Sequence, residues 1–187
     1  TVSRDRTSIF VGSFAGTSNF GGTSLTSGGI YDGFICSLDE DGNVEWVKQL
    51  SSTGDNSIYD VNLFDDGSSI VSGYFSGTTN FSGSNITSSG ETDIFIAKLA
   101  SNGSVSWAKK FGGTGRDLSY GSSVFADNSI IVCGYFKDTI TFGSTTLTSS
   151  GDGDFDGDIF VAKLDSNGDT VWAVSYTHLT LPTTKQV

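Results

Sequence analysis

A run of alternating acidic residues from Asp152 to Asp158 is the part of the sequence best suited to binding a metal ion. Gly157 stands at its sixth position, as in calcium loops where a sharp turn directs successive carboxylate oxygens at one hard cation. The twelfth position, which holds a bidentate Glu in such loops, is Lys163, and no helical pattern follows. The residues predicted to bind a structural calcium ion are Asp152, Asp154, Asp156 and Asp158.

A solvated acidic insertion in a loop is the alternative interpretation of this run. Asp158 has counterparts in Asp32 and Asp93, each at the start of an equivalent apolar segment, so its position also has a structural explanation. Both interpretations stay open, and no cofactor other than this calcium ion is predicted.

Catalytic and zinc chemistry have few candidate residues. The one histidine is His178, near the end of the chain, so a serine–histidine triad lacks a base elsewhere. Cys36 and Cys133 are too few for a zinc site, and buried thiols are favoured over a disulfide. Eighteen Asp and three Glu leave a glycosidase-type carboxylate pair open, although nothing selects two of them.

Charge and hydropathy exclude two classes of partner. The formal net charge is −11 and no basic stripe occurs, so nucleic acid is not an expected partner. No apolar run approaches the ~20 residues of a membrane-spanning helix. The chain has no Met and begins within a repeat, so a signal peptide is expected to lie outside it.

A unit of 61 residues recurs along the chain. Gly12, Gly73 and Gly134 are spaced 61 apart, and so are Trp46 and Trp107. Such a period indicates stacked supersecondary units. The predicted units are 1–50 (unit 1, without its first strand), 51–111 (unit 2) and 112–173 (unit 3).

Each full unit is predicted to contain four strands. In unit 2 hairpin turns lie at 65–67 and 101–103, where Asp, Asn and Gly supply the required positive φ, and a longer loop is expected at 77–92. Strands that are apolar on both faces require cover on both sides, which predicts an all-β fold of about three four-stranded antiparallel propeller blades. The strands predicted for unit 2 are 57–64, 69–76, 93–99 and 104–110.

The aromatic residues also follow the repeat. The tryptophan of each last strand is predicted to pack between blades. Tyr74 and Tyr135 share a position that holds Ser13 in unit 1. Burial between blades is favoured for these tyrosines, and a carbohydrate-binding platform is the alternative.

Whole repeats resemble a known family. The sequence Gly134-Tyr135-Phe136, then Phe142-Gly143, Leu147-Thr148-Ser149 and 158–165 (DIFVAKLD), together with 107–115 (WAKKFGGTG), resembles the bacterial beta-propeller repeat of large secreted and cell-surface proteins. The resemblance covers residues 1–173, with Ser37 as a mild departure where the other units have Lys. It implies an extracellular or surface location, further blades outside this chain, and no catalytic residue.

The last fourteen residues, 174–187, do not continue the repeat. Trp46-Val47-Lys48 and Trp107-Ala108-Lys109 predict a Lys after Ala173, but Val174 follows. Residues 174–183 (VSYTHLTLPT) resemble the conceptual translation of a transposase adapter used to prepare sequencing libraries. The tail, which contains His178, is therefore predicted to be non-native.

The sequence as a whole predicts a non-catalytic extracellular scaffold for binding, adhesion or spacing within a larger bacterial protein. Its expected partners are further propeller blades and a carbohydrate or protein ligand. The competing interpretation is part of a propeller enzyme, a hydrolase or lyase acting on polysaccharide.

Overall fold

The chain folds into β-strands joined by short turns. The computed structural model describes residues 1, 8–81, 84–150 and 157–177, and within them we find seventeen strands and no helix. The strands are β1 (Ser8–Phe14), β2 (Thr17–Phe20), β3 (Thr23–Thr26), β4 (Asp32–Leu38), β5 (Val44–Leu50), β6 (Asn56–Leu63), β7 (Ser69–Phe75), β8 (Thr78–Phe81), β9 (Ser84–Thr87), β10 (Asp93–Leu99), β11 (Val105–Phe111), β12 (Asp117–Val124), β13 (Ile130–Phe136), β14 (Thr139–Phe142), β15 (Thr145–Thr148), β16 (Asp158–Leu164) and β17 (Thr170–Tyr176).

These strands form three larger antiparallel sheets, one in each repeat unit. The first sheet has the order β1-β4-β5, the second β6-β7-β10-β11 and the third β12-β13-β16-β17. In the first sheet Thr1 exchanges backbone hydrogen bonds of 2.9 and 3.0 Å with Ile9, beside β1. The predicted all-β class is confirmed, and the four strands of unit 2 lie within one residue of their predicted bounds.

Each unit also carries a two-stranded ribbon where a loop is predicted. In unit 2 the segment 77–92, predicted as a longer loop, contains the paired strands β8 and β9. The Oγ1 atoms of Thr78 and Thr87 are 2.8 Å apart across this ribbon, and Ser88 closes its base through a 2.8 Å bond from its N–H to Gly77 O. Polar cross-strand pairs hold the ribbon, so its sequence lacks the apolar alternation of a core strand.

The second sheet is buried on both faces. Ile70 and Val71 are neighbours on β7 that point to opposite faces, and neither has exposed surface. Val71 belongs to an apolar cluster shared with the first sheet, and Ile70 to a cluster shared with the third sheet. We call each interface between consecutive sheets a seam. The two-sided cover inferred from the sequence is confirmed for this sheet.

Hairpin turns set the strand ends, as predicted. Gly67 and Gly103 have φ values of 79° and 75°, which the absence of a Cβ makes accessible. In the first unit the Asp39 carboxylate accepts hydrogen bonds from the N–H groups of Asp41 (3.0 Å) and Asn43 (2.8 Å). Hydrogen bonds from Asn43 lower the pKa of Asp39. This acidic segment is therefore a hairpin turn.

A β-bulge occurs at the same place in the first strands of the second and third sheets. Tyr59 is the extra residue between Ile58 and Asp60, and Tyr120 is the extra residue in β12. Opposite the first bulge, a Cβ on Gly73 would overlap the backbone oxygen of Ser57. The recurrence of Gly at this repeat position follows from that close approach.

Within the described residues, the outer faces of the first and third sheets lack the cover that the second sheet has. Cys133 lies on the outer face of the third sheet and is exposed, whereas Cys36 is buried. The prediction of two buried thiols is thus wrong for Cys133, because its counterpart Ser72 is covered by a following sheet and Cys133 is not. Strand β17 continues through Tyr176, so it includes the first three residues of the tail.

None of the residues that the structure describes forms a helix of the length and hydrophobicity needed to cross a bilayer.

Substituting Gly73 by Ala is expected to destabilise the protein by about 3 kcal/mol, because the new methyl group meets rigid backbone at the bulge. Gly12→Ala is the matched control at the same repeat position. A Cβ there meets the Phe34 ring at 3.0 Å, and a ring can move aside. Chemical denaturation of both variants measures the difference, and equal losses would contradict this explanation of the glycine repeat.

Candidate functional site

Three tyrosines form a partly exposed cluster across the seam between the second and third sheets. The rings of Tyr59 and Tyr120 stack with centroids 5.9 Å apart and an interplanar angle of 27°, and Tyr74 lies 5.5 Å from Tyr59. Tyr59 retains 45% of its accessible surface and Tyr120 retains 56%. We call Tyr59, Tyr74 and Tyr120 the tyrosine cluster.

The bulges give this cluster its exposure. An extra residue in a strand is left out of the regular pairing and can turn its side chain away from the sheet. Tyr59 and Tyr120 hold that position in consecutive units, 61 residues apart, so the two rings meet across the seam. Edge or active-site bulges commonly redirect a side chain in this manner.

A hydrogen-bond network beside the cluster fixes the two bulges relative to each other. The Asp60 carboxylate accepts bonds from the N–H (2.6 Å) and hydroxyl (2.7 Å) of Ser122 on the neighbouring sheet. Asn62 donates from Nδ2 to Asp60 (2.8 Å) and to Ser122 O (2.9 Å). Charge-assisted hydrogen bonds of this kind restrict the relative movement of the two strands, so the backbone that carries Tyr59 and Tyr120 is held rigidly.

Charged groups lie close to Tyr74. Burial raises the pKa of its hydroxyl, the adjacent Tyr59 raises it further, and the Asp55 carboxylate acts in the same direction, whereas Arg116 lowers it. Asp55 is itself held by N–H groups of Ile30 (2.9 Å) and Tyr31. The cluster thus combines exposed aromatic faces with nearby hydrogen-bonding groups, the composition of a recognition surface.

The sequence predicts only part of this cluster. Tyr74 and Tyr135 are half-buried, and they differ in surroundings, because Tyr135 packs beside Gly157 while Tyr74 contacts Tyr59. Tyr59 and Tyr120 are not among the residues predicted from sequence. Their 61-residue spacing is the signal that could have pointed to them.

The predicted calcium ligands fall mostly outside the described residues. Asp152, Asp154 and Asp156 lie there, and only Asp158 is described. Asp158 is buried and accepts hydrogen bonds from Ser150 N (3.0 Å) and Ser150 Oγ (3.3 Å). Its counterpart Asp93 accepts an equivalent bond from Ser89 N (2.9 Å). Asp158 therefore makes the hydrogen bond that recurs at this repeat position.

Buried carboxylates at this position connect consecutive sheets. At the first seam Asp32 Oδ1 accepts a 2.9 Å bond from Asn56 Nδ2, and Asp32 Oδ2 accepts a 2.6 Å bond from Gln49. Asn56 Oδ1 in turn accepts a 2.6 Å bond from Gly33 N. Neutral amide groups therefore satisfy the buried carboxyl oxygens of Asp32 at this seam.

The equivalent positions at the second seam hold different chemical groups. Asp117 replaces Asn56, and Lys110 replaces Gln49 with its Nζ 3.2 Å from Asp93 Oδ2. The Oδ1 atoms of Asp93 and Asp117 are buried and have no hydrogen-bond partner within the described part of the chain. Burial raises the pKa of the Asp117 carboxyl to about 7, and Asp93 contributes to the increase. A protonated Asp117 carboxyl would carry an O–H donor in place of the Asn56 amide hydrogen.

Comparison with protein-family models gave no match, and comparison with curated proteins gave no significant relative.

Asp117→Asn is expected to remove a pH dependence of stability, because its amide can donate to Asp93 as Asn56 does to Asp32. The pKa of Asp117 in the folded protein is about 7, above the ordinary value of about 3.9, so the folded protein keeps a proton that the unfolded chain releases between about pH 4 and 7. The parent chain should therefore lose stability as pH rises through that window, by at most ~1.4 kcal/mol per pH unit from this carboxyl.

Denaturation of both chains at pH 5, 6, 7 and 8 measures the difference. The free energy of unfolding of the variant, relative to that of the parent, should increase up to about pH 7 and then stay constant. A difference that is constant from pH 5 to 7 would show that Asp117 is ionised throughout.

Proposed function

We propose that the three sheets are consecutive blades of a β-propeller that belongs to a secreted or cell-surface bacterial protein. Supporting this, each unit places a four-stranded or three-stranded antiparallel meander in sequence order, and each sheet covers the next. Propellers bury two-faced sheets by radial repetition. The resemblance of residues 1–173 to the bacterial propeller repeat supports the same arrangement and the extracellular location.

The proposed activity is binding and not catalysis, and the observation that carries it is the stacked, exposed pair Tyr59 and Tyr120. Exposed aromatic rings on a rigid support favour ligand contact, because they gain apolar burial without losing much side-chain freedom. Repetition of the bulge in consecutive units brings the two rings together into one aromatic surface.

A neutral polysaccharide is the ligand class that fits best. Sugar rings present C–H faces that pack on tyrosine, and their hydroxyls can bond to groups such as Asp55 and Arg116 near Tyr74. The net charge of −11 disfavours an anionic polymer through long-range repulsion. A protein ligand is the other partner class expected from the sequence. It would not present sugar C–H faces to the tyrosine rings.

The competing function, a polysaccharide hydrolase or lyase, needs an accessible carboxyl pair. Asp93 and Asp117 form the buried pair described above, and neither has exposed surface, so a polysaccharide cannot reach them. The buried pair therefore supports a structural role for these acids.

Tyr59→Ala and Tyr120→Ala are each expected to weaken binding to a neutral polysaccharide by about tenfold or more, as loss of a central aromatic contact does. Val171→Ala is the control, because Val171 is exposed on the last strand of the third sheet, outside the cluster, and its repeat counterpart Ser106 is exposed too.

Affinity electrophoresis of the full chain in gels containing laminarin, galactomannan or hydroxyethyl cellulose measures the effect. Retardation by at least one polymer, lost in both cluster variants and kept in the control, is the expected result. Absence of retardation by all three, or equal retardation of every variant, would overturn carbohydrate binding at the cluster.

A further inference from the structure

The loop that precedes strand β4 carries two exposed apolar residues. Ile30 retains 68% of its accessible surface and Tyr31 retains 48%. Their counterparts in unit 2 are Glu91 and Thr92, so the same loop position is polar there. We call Ile30 and Tyr31 the apolar loop.

The exposure of the apolar loop does not come from an uncovered sheet face. Glu91 is exposed as well, although both faces of the second sheet are covered. Exposure is therefore a property of this loop position, and unit 1 places apolar side chains there. Adjacent exposed apolar residues indicate an interaction surface when they continue into a larger patch.

Other exposed aromatic residues have a different cause. Trp46 packs on a turn of the following unit and donates from Nε1 to Ser101 O (3.2 Å). Trp107 does the same toward Ser166 O (3.2 Å), so the predicted packing of tryptophan between consecutive sheets is confirmed for both. Trp172 is their counterpart on the third sheet, and it is 40% exposed because no described residue covers that face. Its exposure therefore gives no evidence for a ligand.

Hydrogen bonds hold the apolar loop in place at the first seam. Asp55 Oδ1 accepts from the N–H groups of Ile30 (2.9 Å) and Tyr31 (3.2 Å). The loop backbone also touches the next unit directly, since a Cβ on Gly29 would come within 2.5 Å of Gly54 O. A ligand that binds here has little loop movement to arrest, which favours affinity.

Asp55 also links the apolar loop to the tyrosine cluster. Its backbone N–H donates to Ser76 Oγ (2.9 Å), and its carbonyl oxygen accepts from Ser76 N (2.8 Å), two residues beyond Tyr74. Burial is the main cause of the raised pKa of the Tyr74 hydroxyl and Tyr59 is the next, and the Asp55 carboxylate adds to them from nearby. Tyr31, Asp55 and Tyr74 therefore follow one another along one end of the first and second sheets.

Opposite charges lie on the two sides of Tyr74. Arg116 is the counterpart of Asp55, 61 residues later, and it is exposed at the second seam. Burial raises the pKa of Tyr74, Asp55 adds to the increase and Arg116 opposes it. The two charges cancel, and together they offer an acceptor and several donors to ligand hydroxyls. The surface from Tyr31 to the tyrosine cluster therefore suits a neutral, hydroxyl-rich chain.

We propose that the apolar loop and the tyrosine cluster are two subsites of one site, which binds the interior of a neutral polysaccharide chain. Tyr31 packs against one sugar unit and the tyrosine cluster against another, while Asp55 accepts a hydrogen bond from a hydroxyl between them. Two aromatic positions on different loops require several linked units. This inference rests on the proposed function and deepens it, since it defines the ligand as an extended chain instead of a short saccharide.

The dependence of affinity on chain length tests the proposal. Isothermal titration calorimetry of the full chain with laminari-, manno- and cello-oligosaccharides of two and six units measures it. A two-unit ligand occupies the tyrosine cluster alone, because the stacked pair Tyr59 and Tyr120 offers the larger aromatic surface. At least one six-unit ligand should bind about tenfold more tightly than its two-unit form, as one added aromatic contact provides.

Tyr31→Thr separates the two subsites, because it introduces the residue that unit 2 has at this position. It should lower the six-unit affinity by about tenfold, to that of the two-unit ligand, and leave the two-unit affinity unchanged. Tyr31→Phe is the matched control, since it keeps the ring, and it should bind the six-unit ligand like the parent chain. Tyr59→Ala should weaken binding of both lengths.

Three results would each overturn the extended site: equal affinities for two and six units in the parent chain, an unchanged six-unit affinity in Tyr31→Thr, or an equal loss in Tyr31→Phe. Binding that Tyr59→Ala weakens and Tyr31→Thr leaves unchanged overturns only this inference. Absence of binding to all of these oligosaccharides also overturns it, and retardation by the polymers then decides separately whether the tyrosine cluster binds carbohydrate.

Discussion

Burial of each sheet by its neighbour is the interaction on which the rest of this structure depends. A strand such as β7 places apolar side chains on both faces, and water can be excluded from both only by two further sheets. Fully burying one side chain of this size is worth about 1.5–3 kcal/mol, so the apolar side chains of each seam contribute substantially to the favourable free energy of folding. Hydrogen bonds within a sheet cannot replace that contribution.

The seams also determine where chemistry can occur. Close approach of Gly73 to the preceding strand accompanies the bulge, the bulge turns Tyr59 outward, and the seam brings Tyr120 beside it. One unit could not form this pair, because its two rings come from different sheets. The candidate site is thus a product of the repeat and not of any single unit.

The two seams place different chemical groups at equivalent repeat positions. Asn56 and Gln49 supply neutral donors to Asp32, whereas a second carboxyl and Lys110 surround Asp93. Buried polar groups must be satisfied in either case. At the second seam, burial raises the pKa of Asp117 to about 7.

The elements governed by local chemistry are predictable from sequence. Turns at Gly67 and Gly103 require positive φ, and they fix the ends of the four strands of unit 2. The ribbon in 77–92 is not predictable from apolar periodicity, because Thr78 and Thr87 stabilise it through hydroxyl pairing. The exposure of Cys133 depends on which sheet faces are covered, and the exposure of Tyr59 depends on a bulge opposite Gly73. Such effects leave no local signal.

Amide hydrogen exchange of the monomeric chain, followed strand by strand, tests most directly whether the seams hold the fold. Strands Ser69–Phe75 and Asp93–Leu99 are covered on both faces, whereas their counterparts Ser8–Phe14 and Asp158–Leu164 are each covered on one. We expect the amide hydrogens of the second sheet to exchange most slowly, since its strands open only when both seams separate. Equal protection in all three sheets, or faster exchange in the second, would contradict it.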